Sequence, residues 1–166
     1  MLTLLSVMLL LACNTSDYNK ETRDKADATT SEDTTHNHSM TTTENVTPLP
    51  AIPDGARVYF KNVKNNSTVS SPLKVEFGIE NIQIDTAGPV VAGSGHHHLF
   101  VDAEDSLAAG TVIPKDATHL HFGKGQTQID SLKLSAGQHK LTLQFADGLH
   151  RSYGGKLATT INVIVK

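Results

Sequence analysis

Leu73-Lys74-Val75-Glu76-Phe77-Gly78-Ile79 decides the fold of this chain, because large apolar side chains alternate there with polar or small ones. Successive side chains of a β-strand point to opposite faces of the sheet. The apolar side chains of this stretch would therefore share one buried face, while Lys74 and Glu76 would face solvent. The stretch predicts a half-buried β-strand.

The same pattern recurs in short runs across residues 54–166, and turn residues separate the runs. No segment carries the apolar stripe of an amphipathic helix. About seven short strands in roughly 110 residues are typical of an immunoglobulin-like antiparallel β-sandwich. Two connections, 80–95 and 103–117, are long for hairpins, and long loops on such scaffolds often carry functional residues. We expect the further strands at 57–60, 97–101, 118–122, 129–134, 141–145 and 157–165.

The chain begins with an apolar run, MLTLLSVMLLLAC, that ends at its only cysteine, Cys13. This run is too short for a membrane-spanning helix, which needs roughly 20 residues, and it is typical of a secretion signal. Leu10-Leu11-Ala12-Cys13 resembles a bacterial lipobox, although no basic residue precedes the run. We therefore expect a lipoprotein signal peptide at 1–12 and a lipid on Cys13. The alternative is an ordinary apolar N-terminus with a buried cysteine.

Residues 13–53 are rich in Thr, Ser, Asp and Glu, with few large apolar side chains. Such a segment cannot bury enough apolar surface to offset its conformational entropy, which predicts a disordered tether. The expected partner is a membrane of the bacterial envelope, reached through the lipid, with the domain facing the periplasm or the cell exterior. The net charge of -3 argues against nucleic acid as a partner. No feature identifies a protein partner.

Two histidine runs are the features that point to chemistry, Gly95–Asp102 (GHHHLFVD) and His119–Gly123 (HLHFG). Histidine is the commonest protein ligand for transition metals, and histidines two apart on a strand share a face. Because Leu99 and Val101 are expected in the core, the outer face of the first run would carry its first and third histidines. Lipidation of the single cysteine would leave no thiol ligand. The runs predict a copper or zinc site built from His96, His98, His119 and His121.

Other polar residues near these runs are expected to orient ligands or to hold loops in place. His97 would lie on the core face, and His139 opens a strand at a corner that polar side chains often hold. His150 sits at a predicted loop tip and would reach a metal only if that loop folded over the site. Asp102 could supply an oxygen ligand or form part of a solvated acidic loop.

The main alternative is a non-enzymatic adhesion or scaffolding module whose histidines form a structural hydrogen-bond network. We expect no enzymatic activity, since spacing supports no Ser–His–acid arrangement and identifies no acid–base pair. A copper enzyme that handles superoxide is the catalytic alternative, and turnover assays would separate it from passive metal binding.

Three motifs in succession resemble an uncharacterised secreted bacterial family, domain of unknown function 4399. They are Gly95–Leu99 with Asp102, the stretch 119–127, and the stretch 134–143. The resemblance covers roughly residues 56–166 and implies a small all-β domain in an exported protein, without implying an activity. Two departures are a loop at 148–155 that is poorer in histidine and proline, and Gln128 where glutamate is common. If those positions complete a metal site in relatives, this chain would bind more weakly.

Overall fold

The computed structural model describes residues 47–166, which form β-structure and a single 3₁₀ turn at Gly155–Leu157. The predicted signal peptide, Cys13 and most of the predicted tether lie outside the described residues. Within 47–166, no helix has the length and apolarity needed to cross a membrane. The strands are β1 (Arg57–Phe60), β2 (Ser67–Val69), β3 (Leu73–Glu80), β4 (Gln83–Ile84), β5 (Ser94–Val101), β6 (His119–His121), β7 (Gln128–Leu132), β8 (Gly137–Ala146) and β9 (Ala158–Val165).

The strands form two sheets that share one core, so the predicted β-sandwich is confirmed. The smaller sheet has the order β1-β3-β7, and the larger has the order β2-β9-β8-β5-β4, with β6 also paired to β5. Val75 and Phe77 of β3 are 0% and 1% exposed, as the alternation of that stretch predicts. They pack in one cluster with Leu99 of β5 and Leu143 of β8, which belong to the other sheet.

Two short strands, β2 and β4, were not expected from the sequence. Each pairs in parallel with a longer strand, β2 with β9 and β4 with β5, whereas the other pairings between described strands are antiparallel. Strands of three and two residues are too short to show a period-two pattern, which explains why the sequence did not reveal them.

Strand β5 is buried on both faces, and this positions the histidines. Its inner face, with Leu99, contributes to the main core. Its outer face is covered by the connection between β5 and β6, because Phe100 packs there with Ile113 and Ala146, against which Leu107 also lies. The outer-face histidines of β5 are therefore shielded by a long connection instead of facing open solvent.

Residues 47–53 lie against the domain, although their composition predicts that they belong to the tether. Leu49 and Ile52 pack against the main core. The buried guanidinium group of Arg151 also donates hydrogen bonds to the carbonyl oxygens of Thr47 and Pro48. Two apolar side chains in a polar, proline-containing segment are a weak signal, and a partner distant in sequence decides their placement.

Candidate metal centre

Strand β5 places His96 and His98 side by side on its outer face, because they are two residues apart. Both are buried, and their Nε2 atoms lie 3.1 Å apart. Gly95 precedes them at a position where a Cβ atom would collide with the backbone of Ala146 on β8. The glycine therefore permits the close strand contact that leads into the histidine run.

Strand β6 adds His121 to this pair. His121 lies opposite His98 in the antiparallel register, and its ring centroid is 5.0 Å from those of both His98 and His96. Gly123 makes room for the ring, because a Cβ atom there would overlap Nε2 and Cε1 of His121. The sequence His-x-Gly thus allows the imidazole to fold back over its own chain.

A tight turn after β8 supplies a fourth ring, that of His150. The fully buried Asp147 carboxylate organises the turn by accepting hydrogen bonds from the backbone N–H groups of Leu149 and Arg151 and from the Arg151 side chain. His150 has a φ of 65°, a conformation that few non-glycine residues adopt. Its carbonyl oxygen accepts a 2.9 Å hydrogen bond from the Ile113 N–H, which ties the turn to the β5–β6 connection.

The turn brings His150 against the other three rings. Its Nε2 atom lies 3.2 Å from that of His121, and its ring centroid lies 5.0 Å from that of His96. Three of these residues, His96, His121 and His150, each place one ring nitrogen within 4.8 Å of the others, so they could hold a metal ion. We call the set His96, His98, His121 and His150 the four-imidazole cluster.

The imidazole rings of His96, His98 and His121 are neutral near neutral pH, and the neutral ring is the form that binds metals. Burial lowers the pKa of His96 to about 4 and that of His98 to about 2, and the neighbouring histidines act in the same direction. Burial also lowers the pKa of His121, with additional effects from the charges of His150 and Lys115. A metal ion would therefore not have to displace protons from these three rings near neutral pH.

The four rings make side-chain hydrogen bonds only with one another among residues 47–166. His96 meets His98, and His121 meets His150. The Nδ1 atoms of His96 and His98 are buried and have no partner in that range. The nitrogens that face one another are Nε2 atoms, so these are the atoms available to a shared ion.

The structure places His119, which the sequence predicts as a metal ligand beside His121, outside the four-imidazole cluster. Its Nδ1 atom is 2.8 Å from the Asp116 carboxylate, and its Nε2 atom is 3.3 Å from that of Glu104. It shares a sheet face with His121, but it lies opposite Phe100 instead of opposite a histidine. His119 thus contacts both the start (Glu104) and the end (Asp116) of the segment between β5 and β6.

The two remaining histidines of the domain occupy separate environments. His97 lies on the core face, with ring centroids 5.2 Å from those of Phe77 and Phe145, and burial lowers its pKa to about 3. His139 pins the end of β5 to the start of β8, with its Nδ1 atom 2.7 Å from the Asp102 carboxylate. The hydrogen bond with Asp102 raises the pKa of His139. Asp102 therefore contacts His139 and lies apart from the cluster.

The sequence places His150 at a loop tip, and it does not reveal that Asp147 and Arg151 hold this loop beside the other rings. An Asp-Gly pair such as Asp147-Gly148 is typical of a turn, but it does not reveal the buried ion pair that fixes this turn. That ion pair joins Asp147 and Arg151 at 2.7 Å. An acidic and a basic residue four apart around a glycine, with a histidine between them, were the available clue.

The cluster borders a cavity of about 330 Å³. Three rings of the cluster line it together with the β5–β6 connection, so a metal held by the cluster would be accessible to small molecules. The lining residues are His98, Val112, Ile113, Pro114, Lys115, His121 and His150.

Comparison with known proteins identifies the family and no individual relative. Nothing among curated proteins or solved structures matches the chain. A family model described as a domain of unknown function matches residues 75–166, which include every member of the four-imidazole cluster. This match confirms the resemblance drawn from the three sequence motifs. The chain belongs to the domain of unknown function family DUF4399.

Proposed function

We propose that this domain binds one divalent transition-metal ion, copper or zinc, through the four-imidazole cluster. One contrast carries the proposal. His119 and His139 are each held by a carboxylate, as structural histidines commonly are. Within residues 47–166, the side-chain hydrogen bonds of the cluster's rings instead join only one another, and three different chain segments bring the nitrogen atoms together.

The spacing of the nitrogens supports a small ion. Zinc–nitrogen bonds of about 2.0–2.1 Å imply nitrogen–nitrogen edges of about 3.3 Å in a tetrahedral site. The two Nε2–Nε2 distances in the cluster are 3.1 and 3.2 Å. Ring nitrogens of His96, His121 and His150 lie within 4.8 Å of one another, and movement of the rings would bring them, with the adjacent His98, to bonding distance of one ion.

The donor set supports copper or zinc over hard cations. Imidazole nitrogen suits zinc and copper, whereas magnesium and calcium prefer oxygen ligands. The side-chain hydrogen bonds of the four rings, within 47–166, include no carboxylate, hydroxyl or thiol.

We also propose that the domain is held at a membrane of the bacterial envelope. Export, removal of residues 1–12 and lipidation of Cys13 would place the metal-binding domain at a membrane of the bacterial envelope. Metabolic labelling with a radioactive fatty acid tests this step. Incorporation that disappears in Cys13→Ser would support it, and equal labelling of the variant, or no labelling of either chain, would contradict it.

Isothermal titration of the untagged chain with zinc and with copper(II) tests metal binding directly. We expect one ion per chain, with a dissociation constant below about 1 µM, equivalent to roughly 8 kcal/mol of binding free energy. The absence of saturable binding tighter than tens of micromolar would reject the proposal. Elemental analysis of untagged protein then identifies the metal that the chain carries when purified.

The structural alternative makes a different prediction for melting temperature. Ligand binding stabilises only the folded state, so a variant that lacks ligands should melt below the parent in zinc and close to it in chelator. We use His121→Ala with His150→Ala for this comparison. If the double variant melts equally far below the parent in both buffers, the rings serve a structural network.

A further inference from the structure

The cavity beside the cluster has a composition suited to a small ligand. Its volume of about 330 Å³ lies near the lower end of the 300–1,000 Å³ typical of small-molecule sites. His98, His121 and His150 form part of its lining. A molecule in the cavity would therefore contact the same rings that are proposed to hold the metal.

The charge of the site favours an anion. Four neutral imidazoles contribute no negative charge, so a bound divalent ion would keep its two positive charges, the largest local charge in such a site. Among residues 47–166, Lys115 is the only lysine, arginine, aspartate or glutamate that lines the cavity, and its charge adds to the effect. Thiolate or carboxylate ligands would have offset the charge of the ion, and the cluster contains neither.

The rest of the lining favours a ligand with a short apolar body. Val112, Ile113 and Pro114 also line the cavity. Val112 is 61% exposed, so its side chain offers apolar surface that a ligand in the cavity would cover. Covering this side chain would remove apolar surface from water and contribute to binding.

From these observations we infer that the cavity binds a small organic monoanion, a short branched carboxylate, beside the metal ion. This inference rests on the proposed metal site and names the class of ligand that the site would receive. The carboxylate group is attracted by the ion and by Lys115, and the branched alkyl group lies against Val112 and Pro114. A single anionic group is proposed because the rest of the lining, Val112, Ile113 and Pro114, is apolar and would not compensate further charge.

Visible absorption of the full chain loaded with cobalt(II), which has d–d bands that zinc lacks, tests the inference. The titrants are 3-methylbutanoate, acetate and the neutral 3-methylbutanamide. We expect 3-methylbutanoate to change the cobalt bands saturably, with a dissociation constant about fivefold below that of acetate, because its alkyl group buries apolar surface. The amide should leave the bands unchanged.

Two variants assign the binding to this cavity. Lys115→Gln should weaken 3-methylbutanoate binding about fivefold or more, and Val112→Ser should reduce its advantage over acetate. Lys124→Gln is the matched control, because Lys124 is an exposed lysine that does not line the cavity. All three variants should bind cobalt(II) as the parent does.

The outcomes separate the anion site from the metal site. The highest 3-methylbutanoate concentration is about 50 mM, which would detect even weak binding with a millimolar dissociation constant. If cobalt(II) binds but its bands stay unchanged at that concentration, only the anion site is rejected. The anion site is likewise rejected if the amide binds as tightly as the carboxylate, or if Lys115→Gln and Lys124→Gln behave alike. If cobalt(II) does not bind, the metal site and the anion site are both rejected.

Discussion

The Nε2 atoms of His121 and His150 lie 3.2 Å apart although 29 residues separate them in the chain. His121 comes from β6, and His150 comes from the turn that Asp147 organises after β8. A contact between such distant segments depends on the folded domain, so the proposed metal binding would be coupled to folding at this point.

Removal of His150 should therefore weaken metal binding strongly. We expect His150→Ala to raise the zinc dissociation constant about 100-fold, equivalent to roughly 2.7 kcal/mol. His119→Ala is the matched control and should leave zinc affinity within about threefold, because its ring contacts Asp116 and Glu104 instead of the cluster. Competition with a chelating dye measures both. Equal losses in the two variants would contradict the assignment of the cluster.

Gly123 should matter for metal binding although it carries no side chain. A Cβ atom at this position would overlap the His121 ring, so Gly123→Ala should displace that ring and weaken zinc binding about tenfold or more. Gly155→Ala is the control, since a Cβ atom there meets only Ser106 Oγ at 3.5 Å. The same dye competition provides the measurement, and circular dichroism checks that both variants fold. Unchanged affinity in folded Gly123→Ala would show that the ring position is not critical.

Without metal, the buried histidines should make the domain sensitive to acid. The pKa values of His96, His97 and His98 are about 4, 3 and 2 in the folded state, against an ordinary histidine value of 6.5. Below pH 6.5 the unfolded chain therefore binds protons that the folded chain rejects, and stability falls as pH falls. Each ring can contribute up to about 1.4 kcal/mol per pH unit.

The variant His97→Leu isolates one of these contributions. Leucine fits a core position between Phe77 and Phe145 and does not titrate, so the loss of stability between about pH 7.5 and pH 5 should be smaller than in the parent. Urea unfolding in the presence of chelator measures the free energy at both pH values. An unchanged difference between the two pH values would show that His97 does not retain its lowered pKa in the folded protein.

The pair of His139 and Asp102 should show the opposite dependence on pH. The pKa of His139 is raised in the folded state, so its stabilising effect is fully present below pH 6.5 and is lost as pH rises through the folded pKa. His139→Gln should therefore cost more free energy of unfolding at about pH 5.5 than at about pH 8.5. Because Asp102 is partly exposed, we expect a difference below about 1 kcal/mol. A larger loss at the higher pH would contradict this sign.

The sequence predicted the faces of the strands better than the path of the loops. Period-two alternation was sufficient to place His96 and His98 outward and His97 inward, because strand geometry is local. Local sequence pattern does not place His150 at the cluster, since its position depends on the buried ion pair of Asp147 and Arg151. His119 shares a face with His121, but alternation does not say which residue of β5 lies opposite each of them.

Because β5 carries three successive histidines, the composition of the cluster depends on the register in which β5 pairs with β8. A slip of one residue against β8 would turn His97 and Leu99 toward the cluster and drive His96, His98 and Phe100 into the main core. The slipped strand would present one histidine to the ion where the native strand presents two. A bound metal ion would therefore favour the native pairing of β5, and it would stabilise the correct strand register during folding.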